Sequence, residues 1–132
     1  MVEPSGVRGT PRILLRAEGA AIFALSLLVY AKVGPSWLYF VVLVLAPDLS
    51  LLGYLVGART GAVVYNAVHT LIGPLAVIAA GFVLPAYDLF WLALIWTAHI
   101  GFDRMVGYGL KYGAGFRYTH LGPIGRVSAD KP

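Results

Sequence analysis

Apolar residues run along this chain in four long, nearly unbroken stretches, at 13–31, 37–56, 61–84 and 89–110, with polar residues gathered between them. Each stretch is long enough to cross a hydrocarbon core of ~30 Å as a helix. The runs are continuous, whereas the strands of a membrane β-barrel would show alternating ten-residue segments. The interruptions hold turn-forming residues: Lys32-Val33-Gly34-Pro35-Ser36, Gly57-Ala58-Arg59-Thr60-Gly61 and Pro85-Ala86-Tyr87-Asp88. Connections this short make successive helices antiparallel neighbours. The pattern predicts an all-α, four-helix transmembrane bundle over residues 13–112, with polar tails at 1–12 and 113–132. The last residues of the second tail are expected to be mobile.

Composition supports a lipid-embedded chain. Of the 132 residues, 59% are hydrophobic and only 12% charged, too apolar for so small a domain to hide from water. Disordered tails and disulfide scaffolds are excluded, the latter because there is no cysteine. Arg8, Arg12 and Arg16 precede the first run as they would in a signal peptide. No small-residue cleavage site leads into a soluble domain, and three more spans follow, so a retained helix is expected.

Charge then sets the orientation. In a four-span topology one side carries Arg8, Arg12, Arg16, Arg59, Arg104, Lys111, Arg117, Arg126 and Lys131, and the other carries Lys32 alone. This bias predicts that both termini are cytoplasmic and that the protein is a multi-pass component of the cytoplasmic membrane. The net charge of +4 is thereby explained by topology. The expected partners are the bilayer and its anionic headgroups, with no nucleic acid. A Gly53, Gly57, Gly61 series has the spacing of a homodimer face, although turn geometry also accounts for it. Trp37, Tyr39, Tyr87 and Trp91, near span ends, suit an interfacial belt.

Ionisable side chains inside a span are costly, so each marks a candidate site. Asp48 lies in Ala46-Pro47-Asp48-Leu49-Ser50, His69 in Tyr65-Asn66-Ala67-Val68-His69-Thr70, and His99 in Ala98-His99-Ile100-Gly101-Phe102-Asp103-Arg104. All three sit at similar depth, about 13 Å from the cytoplasmic end of their spans at 1.5 Å per residue. Ala62, Asn66, His69 and Gly73 share one helical face, as do His99, Asp103 and Gly107. Pro47 removes a backbone donor and predicts a kink beside Asp48. Glu18 reaches the lower edge of this level, with Arg104 as its expected counter-charge.

Asp48, His69, His99 and Asp103 form a candidate ligand set for one divalent ion, Zn, Mn or Fe, with His99 and Asp103 four residues apart on one helix. Asn66 is then a second-layer group or a substrate contact, and Arg104 or Lys111 the binder of an anionic headgroup. The chemistry this suggests is metal-assisted hydrolysis of a lipid or small amphiphile. Two other readings fit the same residues: hydrogen bonds that only hold the helices together, and a small proton or ion conduit. The aromatic and basic run from Tyr108 to Tyr118 suits a segment on the membrane surface, or a lid that carries His120 over the cluster.

Three segments together resemble a known family: Ala46-Pro47-Asp48-Leu49-Ser50, Tyr65-Asn66-Ala67-Val68-His69, and the run from Ala98 through Arg104 and Lys111 to Thr119-His120-Leu121-Gly122. The resemblance is to the prokaryotic integral membrane family catalogued as domain of unknown function 4260, over nearly the whole chain. It implies a small multi-span membrane protein and brings no catalytic residues with it. A looser similarity is to membrane-bound metal-dependent hydrolases. The chain lacks their His-Arg-Gly and Thr-His-Ser pattern, so that likeness is one of analogy.

Overall fold

The computed structural model describes residues 5–125. Arg126 and Lys131, counted above on the basic side, and the end of the polar tail lie outside the described residues. Helix makes up the regular structure apart from one isolated antiparallel bridge, Lys111 with Thr119. The elements are α1 (Gly9–Val33), α2 (Trp37–Leu43), a 3₁₀ segment (Ala46–Leu55), α3 (Ala58–His69), α4 (Ile72–Val83) and α5 (Asp88–Val106). Taken as spans, four stretches are long and apolar enough to cross a membrane: Gly9–Val33, Trp37–Leu55, Ala58–Val83 and Asp88–Val106.

The second and third spans are each broken in the middle, and proline explains both breaks. At Pro47 the helix tightens into 3₁₀ turns, with the Asp48 amide donating to Leu45 O at 3.0 Å. The carbonyl of Val44 is thereby released from its ordinary helical partner. In the third span Pro74 lacks the N–H that would reach back to Thr70, and its ring crowds that carbonyl. Thr70 accordingly turns extended, at ψ 147°, and caps α3. The kink at Pro47 was expected; the break at Thr70 was not.

Ends follow from caps. Gly34 closes α1 by donating to Tyr30 O at 2.7 Å, and Pro35 prevents continuation. Ser36 caps α2 by accepting from the Leu38 amide at 3.1 Å. Gly107, at φ 95°, ends α5 in the left-handed conformation, with the Tyr108 amide donating to Asp103 O at 2.7 Å. This stop falls before the predicted limit at 110, and it turns the chain back toward α3.

α5 is the central helix: Ala93, Ile95, Ala98, His99, Ile100, Gly101 and Asp103 are all buried. α1 lies against it through Gly19 and Gly101. A Cβ on Gly101 would fall 2.7 Å from Phe23 N and 2.9 Å from Gly19 O, so two backbones meet where only glycine fits. Gly53 and Gly61 likewise face one another inside the chain, where the 3₁₀ segment packs on α3. The outward surface is apolar, with Leu55, Val83 and Phe82 at least 80% exposed. An envelope of this kind calls for lipid rather than water.

The basic end is tied together. Val7 N donates to His120 O at 2.7 Å, Arg12 Nε to Leu121 O, and Arg16 Nε to Met105 O at 2.9 Å. The segment after Gly107 forms a strap across this end, and the start of α1 is fastened to it.

Candidate metal centre

Backbone carbonyls orient both buried histidines, and one of these carbonyls is exposed by the break at Pro47. His99 Nδ1 lies 2.6 Å from Val44 O, the carbonyl released by the 3₁₀ turn. His69 Nδ1 lies 2.9 Å from Tyr65 O. A carbonyl oxygen only accepts, so each Nδ1 carries a proton, and in the neutral imidazole each Nε2 presents a lone pair. Those two Nε2 atoms face each other at 3.2 Å.

Two carboxylates close on the same point. Asp48 Oδ1 is 3.3 Å from His69 Nε2 and 3.1 Å from His99 Nε2. Asp103 Oδ2 is 3.6 Å and 3.3 Å from the same two atoms. All four donor atoms lie within 4.8 Å of one another. A tetrahedral ion with ligand bonds of ~2.0–2.1 Å has ligand-to-ligand edges of about 3.3–3.4 Å, close to the His–His and His–carboxylate separations of 3.1–3.6 Å here. A proton on one Nε2 satisfies one of these contacts at most; a divalent cation joins all four. The donor set therefore fits a metal ion.

Neighbours hold the set in place. The Tyr65 ring stacks on His69 at 3.7 Å with an 8° tilt, and its hydroxyl donates to Asp103 Oδ2 at 3.4 Å. Sequence reasoning missed this residue, although its position four before His69 puts it on the same face. His69, His99 and Asp103 are buried, whereas the Asp48 side chain is 40% exposed. That exposure opens into a cleft of about 240 Å³ lined by Asp48, Asp103, Tyr108, Lys111, Leu51 and Phe116, among others. The carboxylates border the cleft and the histidines lie behind them, so the centre has one open side.

The remaining sequence candidates stand elsewhere. Asn66 is turned to the strap: its Nδ2 donates to Lys111 O at 2.8 Å, and its Oδ1 accepts from Lys111 N at 2.7 Å. Arg104 lies behind the cluster, where its Nη2 donates to His69 O at 3.1 Å. Glu18 is exposed on α1, outside the group of four. His120 reaches Arg104 and the strap in place of the cluster: its Nδ1 accepts from Leu110 N at 2.8 Å, and Arg104 Nη1 approaches Nε2 at 3.3 Å. Burial and the Arg104 charge hold the His120 imidazole below its ordinary pKa.

Lys111 reaches the cleft. Its Nζ donates to Phe116 O at 2.9 Å and lies 3.6 Å from the Phe116 ring centre and 4.7 Å from that of Tyr65. Burial pushes its ammonium down to about 8, against the opposing pull of Asp103 and Asp48.

Among known proteins, no curated relative and no solved structure matches the chain. A family model described as "Domain of unknown function (DUF4260)" matches residues 12–124, a stretch that includes every residue of the cluster, the strap through Gly122 and Arg104. On that match the chain belongs to the DUF4260 family, as a multi-pass membrane protein with a partly buried Asp₂His₂ cluster between its spans.

Proposed function

We propose that this protein is a metal-dependent hydrolase of the membrane, acting on a lipid or small amphiphile at the Asp48, His69, His99 and Asp103 centre. The observation that carries the reading is the convergence of two Nε2 atoms, 3.2 Å apart, and two carboxylate oxygens on one point, with each ring's Nδ1 turned to a backbone carbonyl. With both imidazoles neutral, four lone-pair atoms meet at one point, where a cluster built only to join helices would match donors with acceptors. Two imidazoles and two carboxylates suit Zn, Mn or Fe.

Asp48, His69, His99 and Asp103 would hold the ion, which would supply a water of lowered pKa, toward ≈ 7, and Lewis acidity for an ester group. In the overall reaction water adds to the ester centre, the ester C–O or P–O bond breaks, and the departing alcohol takes a proton. Around that step, Tyr65 fixes His69 and Asp103, while Arg104 holds the end of α3 that carries His69. Asn66 sets the position of Lys111 on the cleft wall. The basic end faces the cytoplasm in this reading, because positive charge is concentrated there.

Hydrolysis is tested with detergent-purified protein loaded with Zn, Mn or Fe(II) and offered short-chain ester and phosphodiester amphiphiles in mixed micelles. Products are resolved by mass spectrometry. Metal-dependent turnover that falls in His99→Ala to the level of chelated wild type is expected. Stoichiometric metal without turnover of any amphiphile overturns the hydrolase and leaves a structural metal centre.

A further inference from the structure

We infer that the cleft beside the Asp₂His₂ centre takes the monoanionic oxyanion head of an amphiphile, with Lys111 as its counter-ion, and that metal loading is what makes the cleft accept it. This rests on the metal-centre reading and names the class of molecule that occupies the same site.

The Lys111 ammonium is a charge out of place. Lys111 is 5% exposed, and no carboxylate among the described residues lies within 4.0 Å of its ammonium. Its partners are one carbonyl, Phe116 O, and two aromatic faces. Rings and a carbonyl solvate a cation only in part, and a buried ammonium without a counter-ion is costly. Asn66 binds both polar atoms of the Lys111 backbone, so the residue is held at this position rather than tolerated there.

Charge balance then gives the switch. Without metal, the carboxylates of Asp48 and Asp103 border the cleft, offset Lys111 at a distance and repel an anion. A divalent ion cancels their two negative charges and leaves the ammonium uncompensated. Arg104, on the far side of His69, adds charge of the same sign. One negative charge in the cleft offsets the ammonium of Lys111, and the low local dielectric makes that pairing matter.

Shape points to the rest of the ligand. The cleft is also lined by Leu51, Phe116 and Ile124, which suit the first carbons of an alkyl chain. A volume of about 240 Å³ is below the ~300–1,000 Å³ of sites that enclose a whole drug-sized ligand. It holds a head and the beginning of a tail, with the remaining chain outside the cleft.

Binding equilibria are reciprocal, so the anion must tighten the metal by the same factor that the metal tightens the anion. The test measures Zn²⁺ affinity of the chelated protein by competition with an indicator, in nonionic detergent near neutral pH. Three probes without a scissile bond are compared: octanesulfonate, with charge and tail; methanesulfonate, with charge alone; and octyl glucoside, with tail alone. Octanesulfonate is expected to tighten Zn²⁺ by about fivefold or more, within the ordinary range of coupling energies. The tightening is lost in Lys111→Met and retained in Lys111→Arg. Equal Zn²⁺ affinity with and without octanesulfonate overturns the inference, as does an equal effect from octyl glucoside. Methanesulfonate matching octanesulfonate overturns the amphiphile and assigns the cleft to a soluble anion. Absence of Zn²⁺ binding under every condition overturns the metal centre itself, a result distinct from binding without coupling.

Discussion

His120 is a pH-sensitive fastening at the scale of a single residue. Its neutral ring accepts the Leu110 N–H, and burial beside Arg104 lowers its pKa from 6.5. As pH falls, the unfolded chain takes up the proton first, so stability is complete above 6.5 and declines below it. Thermal unfolding of chelated protein across that range should show the decline. His120→Asn, which keeps an acceptor but cannot be protonated, should flatten it; an unchanged slope in the variant would assign the effect to other groups. The four cluster residues are legible in the sequence because a charged side chain inside an apolar run has no bland companions, and equal depth on separate helices links them. The partners of Asn66 and His120 are not legible. Their bonds are to backbone atoms of Lys111 and Leu110, and backbone atoms leave no mark in sequence.

Among the elements, the strap after Gly107 is joined to α3 by Asn66. Asn66 supplies two hydrogen bonds to Lys111, each worth ~0.5–1.5 kcal/mol net. Asn66→Ala is therefore expected to cost about 1–3 kcal/mol, seen as a lower unfolding temperature, and to speed proteolysis between Gly107 and Gly122. If both measurements match wild type, the strap is held by other means. The four spans were readable because ~20 apolar residues in a row have few alternatives. Their ends were less so, since caps at Gly34 and Gly107 depend on local φ and ψ more than on hydropathy. Pro74, preceded by Gly73, was the available signal for the break at Thr70. Its effect falls one turn earlier than the residue itself, inside an apolar stretch that reads as uniform.

For the whole molecule, the absence of cysteine from the sequence makes orientation directly measurable. Single cysteines at Ser5 and Ala86 should react oppositely with an impermeant thiol reagent on intact cells. Ala86→Cys should label from outside, and Ser5→Cys only after the membrane is opened; the reverse pattern would invert the bundle and contradict the charge-based orientation. The fold also explains why the cluster needs the entire bundle. Asp48 comes from the 3₁₀ segment, His69 from α3, and His99 with Asp103 from α5, while α1 presses on α5 through Gly19 and Gly101. The most direct test of a shared cation site is elemental analysis of protein purified in detergent without chelator. One equivalent of Zn, Mn or Fe per chain is expected, falling below a tenth of an equivalent in both His69→Ala and His99→Ala while each variant stays folded. Metal-free wild type that resists reconstitution, or metal retained in both variants, would contradict it.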